Sequence, residues 1–209
     1  MHIYINLDII NVINETLGEK CMAQELEIEF KNLLTNKEFE ILLNYLPFPS
    51  VGIEQINYYF ETTDFKLRHH KSALRIREKN GKYRLTLKEP YGDGLLETHD
   101  SLTEEEASHW INGNPVPKAE TIAQLRKMNI TINELQYYGN LTTIRREYHH
   151  DGLIYVLDHS HYHGHEDYEL EIEAKDVETG NKALDTILKE CGITRKDTPN
   201  KIARFFQKM

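Results

Sequence analysis

The sequence predicts an α+β domain in which antiparallel strands predominate and a few helices pack beside them. Three observations carry this. Alternating runs of apolar and charged residues recur along the chain, with the period of a strand that has two unlike faces. Turn signals at Asn80-Gly81 and Asp151-Gly152 join successive runs as hairpins. Capped amphipathic stretches interrupt the strands at a few places only. The 209 residues contain no Gly-, Ser- or Pro-rich linker, no low-complexity run and no short-period repeat, so one domain is expected.

In chain order, ELEIEFK (25–31) is the first strand. TNKEFEILLNYL follows as a helix, with Thr35 at its N-cap and Phe39, Leu42, Leu43 and Leu46 on its apolar face. Pro47 and Pro49 end it. EQINYYFETT reads as a strand, and ALRIREKNGKYRLTLKEP as a hairpin about Asn80-Gly81. GDGLLETHDSL is a turn and a strand. TEEEASHWIN opens with a capping box, Thr103 and Glu106. A further helix spans 120–128. GNLTTIRREYHHDGLIYVLDHS alternates again, HYHGHED reads as a polar loop, and YELEIEAK is the last strand. ETGNKALDTILKECGI is a helix stopped near Gly192. TPNKIARFFQKM closes the chain as a helix capped by Thr198, with Pro199 at its first position.

Charged residues make up 28% of the chain and hydrophobic ones 39%, as in soluble globular proteins. No apolar run reaches transmembrane length. A formal net charge of −9 argues against a general nucleic-acid binder, but leaves room for a locally basic cavity. The two cysteines, Cys21 and Cys191, form no clustered metal pattern, and a reducing cytoplasm is the expected compartment. Residues 1–22 lack the basic start and cleavage site of a signal peptide, whereas MAQELEIEFK reads as a natural start at Met22. The expected division is a peripheral extension over 1–22 and a working domain over 23–209.

The charges on the strands are sorted by sign. Glu25, Glu27 and Glu29 share a face with Lys31. Glu169, Glu171 and Glu173 share another. Arg75 and Arg77, and then Arg84 and Lys88, line the two arms of the hairpin. A solvated sheet face accounts for any one such strand. A solvated face usually mixes signs, however, and stacked carboxylates repel unless a cation sits among them. Carboxylate clusters suit hard ions such as Mg²⁺ or Mn²⁺, and convergent arginines and lysines suit phosphate. Acidic and basic strands together point to a metal–polyphosphate site. A sheet closed on itself would turn these faces inward and its apolar faces toward the helices.

These residues resemble a known family, the CYTH superfamily or triphosphate tunnel metalloenzymes. The likeness starts with ExExK at Glu27, Glu29 and Lys31. It runs through the basic hairpin, TxRxxY at Thr143, Arg145 and Tyr148, Asp158 and ELEIE at 169–173, and ends at NKIARFF with Lys201 and Arg204. Within the family the chain is most similar to the small YjbK-type members, often named adenylate cyclases. The resemblance implies a closed eight-stranded antiparallel β-barrel, a tunnel for triphosphate, with helices packed outside. It implies Mg²⁺ or Mn²⁺ held by Glu27, Glu29, Asp158, Glu171 and Glu173. It makes Lys31 and Arg145 the catalytic cations and Arg75, Arg77, Arg84, Lys88, Lys201 and Arg204 the phosphate ligands. Glu25 and Glu169 extend each acidic row, so the ligand register could slip by two.

The leading expectation is a metal-dependent triphosphatase. Its alternatives are a class IV-type adenylate cyclase and a non-catalytic polyphosphate- or nucleotide-binding module. The expected partner is a small-molecule triphosphate or nucleotide, with no nucleic acid or membrane, for a monomer or homodimer. The histidines of HHDG and HSHYHGH read as tolerated in polar loops, because their spacing matches no usual ligand set on rigid elements. Trp110 reads as core and Cys191 as an inert thiol.

Overall fold

The structure is a computed structural model that describes residues 24–209. The expected peripheral segment, 1–22, lies outside the described residues. Eight strands alternate with short helical pieces: β1 (Gln24–Leu34), β2 (Ile53–Thr62), β3 (Ala73–Lys79), β4 (Lys82–Tyr91), β5 (Gly94–Leu102), β6 (Leu135–His150), β7 (Leu153–Tyr162) and β8 (His165–Ala174). All pairs are antiparallel, and the order β1-β5-β4-β3-β2-β6-β7-β8 closes into a barrel when β8 pairs with β1. The six helices are α1 (Asn36–Tyr45), α2 (Lys66–His69), α3 (Glu104–Ile111), α4 (Ala119–Lys127), α5 (Val177–Glu190) and α6 (Lys201–Gln207). None of them is long and apolar enough to cross a membrane.

Closure follows from the alternation. Each strand presents one apolar face outward, and two clusters of buried side chains cover those faces. Phe60, Leu74, Ile76, Leu85 and Leu87 pack under α3 and α4 against Trp110 and Leu125. Leu157, Leu170 and Ile172 pack under α1 and α5 against Phe39, Leu42, Leu184 and Leu188. Burying a side chain of this size stabilises by about 1.5–3 kcal/mol, so these outer layers hold the sheet closed although its inside is charged. The approach of α5 to β1 is close. A Cβ on Gly180 would lie 2.4 Å from the Phe30 ring, so only glycine lets the helix seat there.

Local signals act where the sequence places them. Thr35 with Glu38, and Thr103 with Glu106, form complete capping boxes. Asn80 and Gly81 both take positive φ, 53° and 70°, as a two-residue hairpin turn requires.

Three features differ from expectation. The one-turn helix α2 has no sequence signature. It is nucleated by Glu61, whose carboxylate accepts from the backbone N–H groups of Leu67 and Arg68. The final helix starts at Lys201 rather than beside Thr198, because Thr198 Oγ1 instead accepts from the Leu33 N–H at 2.9 Å. HYHGHED is not a loop. β7 continues to Tyr162, His163 and Gly164 make a tight positive-φ turn, and β8 begins at His165. The ladder to β8, extending through His161–Glu166 and Tyr162–His165, outweighs the polar composition of the segment.

Candidate active site

The inward faces of the strands enclose a cavity of about 970 Å³. Eleven lysines and arginines and eight glutamates line it among the described residues, in a chain whose formal net charge is −9. The cavity is therefore locally basic. Of the residues expected at the site, Glu27, Glu29, Lys31, Arg75, Arg77, Arg84, Lys88, Arg145, Glu171, Glu173 and Lys201 all line it. Asp158 and Arg204 lie behind its wall.

The charges sort into three groups. The first is a compensated lattice beside α6. Arg145 donates to Asp158 from Nε (2.9 Å) and Nη2 (2.6 Å), and to Glu171 at 2.6 Å. Lys201 Nζ lies 2.8 Å from Asp158 and from Glu169, and 2.6 Å from Glu171. Arg204 donates to Asp167, to Glu169 and to the Pro199 carbonyl. Burial alone would raise the Asp158 and Glu171 carboxyls. Arg145 and Lys201 overcome it and hold both below their ordinary values.

The second group is acidic. Glu29 of β1 stands directly across the ladder from Glu173 of β8, and Glu27 is two residues away on the same face. Like charges placed opposite each other destabilise a sheet. Glu29 is paired with Lys31 and Glu27 with Lys88, but Glu173 makes no ion pair among the described residues. Burial pushes the Glu173 carboxyl up; Arg145 opposes this, and Glu171 and Glu29 add to it. Burial likewise pushes Glu27 up to about 8; Lys88 opposes this, and Glu29 and Glu97 add to it. Lys88 and Lys31 hold the Glu29 carboxyl below its ordinary value despite burial, so Glu27 and Glu173 are the undercompensated members of the group. Undercompensated carboxylate oxygens on one face of the barrel wall fit a hard divalent cation.

The third group is basic. Arg77 is partly buried, and its Nε donates to Asn57 Oδ1 at 2.9 Å. It has no ion pair among the described residues. Burial, then Arg75 and Arg145, press against its charge and pull its pKa down to about 9. Arg75 lies 3.9 Å from Glu97, and Lys88 is shared between Glu27 and Glu97. A partly buried guanidinium lacking a counter-charge, next to a second one, is arranged to receive an anion.

The sequence reading missed several cavity residues, Glu97 and His99 among them. Glu97, Thr98, His99 and Asp100 are four consecutive polar residues, so no apolar alternation marked which of them face inward. Lys88 and Arg75 hold Glu97 below its ordinary value against the effect of burial. His99 is buried between Thr86 Oγ1 at 3.0 Å and Glu25 Oε1 at 2.7 Å. Glu25 sits at the cavity edge against His99, while Glu169 is fully buried against Lys201 and Arg204.

Comparison with known proteins agrees with this architecture. The CYTH domain profile matches residues 25–206. A Bacillus subtilis (strain 168) protein named "Putative triphosphatase YjbK" is 44% identical over 187 residues, covering 89% of this chain and 97% of its own. The crystal structure of a "putative adenylate cyclase" from Bacillus halodurans superposes with a TM-score of 0.84 at 41% identity, covering 88% of this chain and all of that one. HpAC1 from Hippeastrum, a "putative adenylyl cyclase" described as having a dominant triphosphatase activity, superposes with a TM-score of 0.70 at 27% identity, covering 88% and 95%. With the matched region spanning the whole barrel and α6, the chain belongs to the CYTH domain family.

Proposed function

We propose that this protein is a divalent-metal-dependent hydrolase of inorganic triphosphate or a closely related triphosphate. The observation that carries the reading is the unpaired Arg77, beside Arg75, in the same cavity as Glu29 and the undercompensated Glu27 and Glu173. An anion alone would satisfy the arginines and leave the carboxylates repelling. A cation alone would do the reverse. A metal–triphosphate complex answers both.

In this reading water attacks a terminal phosphorus, the bridging P–O bond breaks, and phosphate and pyrophosphate leave. Such a reaction needs positioning and charge stabilisation more than covalent help from the protein. Arg75, Arg77, Arg84 and Lys88 bind and orient the phosphate chain. Lys31 and Arg145 flank the acidic group and stabilise charge on the transferring phosphoryl. Glu27, Glu29 and Glu173 would hold Mg²⁺ or Mn²⁺, which supplies Lewis-acid neutralisation of the phosphate oxygens. Asp158, Glu169 and Glu171 are matched to Arg145, Lys201 and Arg204. Their task is to fix α6 and the Arg145 fork.

The relatives carry both triphosphatase and cyclase names, and the name of the Hippeastrum protein ranks triphosphatase activity as dominant. That supports hydrolysis as the first reading. Incubating the purified protein with Mg²⁺ or Mn²⁺ and either triphosphate or ATP, then assaying phosphate, pyrophosphate and cyclic AMP, separates the alternatives. Phosphate and pyrophosphate from triphosphate support the hydrolase. Cyclic AMP from ATP supports the cyclase. No turnover with tight triphosphate binding leaves a binding module.

A further inference from the structure

The outer face of the β7–β8 hairpin carries a second set of metal-type side chains, on the opposite side of the sheet from the cavity. His159 and His161 are two residues apart on β7 and share that face. Glu166 of β8 is the direct cross-strand partner of His161. The donor atoms of these three side chains lie within 4.8 Å of one another. His159 Nε2 is 2.9 Å from Glu166 Oε2, and His161 Nδ1 is 4.0 Å from the same oxygen.

The cluster has a held part and an adjustable part. The His159 ring stacks on Tyr168 with centroids 4.3 Å apart and 16° between planes, and it tilts against Phe39 of α1. Its orientation is set by aromatic packing. The His161 and Glu166 side chains are 49% and 54% exposed. They can rotate to metal-bond length, about 2.0–2.2 Å for a zinc–nitrogen or zinc–oxygen bond, without moving the backbone. A surface ion pair explains His159 and Glu166. It does not explain a second imidazole turned to the same carboxylate, with the two rings 4.2 Å apart.

We propose that His159, His161 and Glu166 form a site for a borderline transition-metal ion of the Zn²⁺ class, with water completing the coordination. Two imidazoles and a carboxylate favour such an ion over Mg²⁺, which prefers oxygen donors. The site is chemically distinct from the all-carboxylate group in the cavity and does not depend on the function proposed for that group. An ion here ties the ends of β7 and β8 together next to Asp167, which anchors Arg204 of α6.

The test is calorimetric titration of the full chain with Zn²⁺ in a buffer holding excess Mg²⁺, paired with electron paramagnetic resonance of added Cu²⁺. The wild type and Glu29→Gln should bind Zn²⁺ equally, and Cu²⁺ should couple to two imidazole nitrogens. His161→Gln and Glu166→Gln should each weaken Zn²⁺ by more than about tenfold, since losing even an outer-shell partner costs 10–100-fold. Their metal-free melting temperatures should match the wild type, because both side chains are exposed. Zn²⁺ affinity unchanged in both variants, Zn²⁺ binding lost only in Glu29→Gln, or no binding by the wild type would overturn the proposal.

Discussion

Arg145 and Asp158 face each other across the β6–β7 ladder and are joined by two near-parallel hydrogen bonds, 2.9 Å and 2.6 Å long. Asp158 is fully buried and also meets Lys201. Removing its charge leaves Arg145 with Glu171 alone, and Lys201 with Glu169 and Glu171, in the wall. Asp158→Asn is therefore expected to destabilise the fold by about 3–5 kcal/mol, the usual result of breaking a buried pair from one side. Chemical denaturation measures this. A variant that keeps wild-type stability and loses only metal affinity would make Asp158 a metal ligand instead.

Glu27→Gln should abolish triphosphate hydrolysis while the protein stays folded, because it removes charge from an overcrowded acidic group. Its effect on stability should depend on pH. The native carboxyl is raised from 4.5 to about 8, so across that window the folded state keeps a proton that the unfolded chain has lost. The contribution of Glu27 to stability then falls as pH rises, and the cost of ionisation is fully present above about 8. In EDTA, the melting temperature of the wild type minus that of Glu27→Gln should decline across this range, and Mg²⁺ should flatten the decline. A difference that grows with pH would refute the assignment.

Arg77→Gln should separate stability from activity. The glutamine can still donate to Asn57, and the uncompensated, partly buried charge is gone, so thermal stability without phosphate should be unchanged or higher. The kcat/KM for triphosphate should fall about 10- to 100-fold, matching the roughly 1.5–3 kcal/mol typical of a hydrogen bond to a charged group. Steady-state kinetics and a melting curve on the same preparation check both halves. A destabilised Arg77→Gln with unchanged kinetics would place Arg77 in the scaffold.

Triphosphate should be preferred over ATP by at least about a hundredfold in kcat/KM, or about 2.7 kcal/mol of transition-state discrimination. A symmetric triphosphate offers oxygens at both ends to Arg75, Arg77, Arg84 and Lys88, whereas ATP replaces one end with a nucleoside. Parallel assays of both substrates under one metal concentration decide it. Equal rates, or cyclic AMP as the main product, would favour the cyclase.

The alternation of ELEIEFK, LRIR, YRLTLK and YELEIE by itself determined which side chains share a face. A strand's side-chain period is two whatever it pairs with. That made the sorted charged faces and the acidic and basic rows of the cavity legible before any coordinates, while the closed eight-stranded barrel was implied by the family resemblance. The N-cap at Thr35 and the capping box at Thr103 were legible because each signal lies within a few consecutive residues. Which charges neutralise one another was not legible. Glu29, Glu171 and Asp158 look alike along the chain, yet strand register sets Asp158 opposite Arg145 and Glu29 opposite Glu173. Arg204 sits in a helix whose sequence cannot say which barrel carboxylates it will meet; docking of α6 gave it Asp167 and Glu169. The paired histidines of β7 were likewise hidden in a segment of loop-like composition until the β8 ladder straightened it. Local periodicity is a property of a few consecutive residues. Charge compensation depends on distances across the closed barrel, and only tertiary structure sets those.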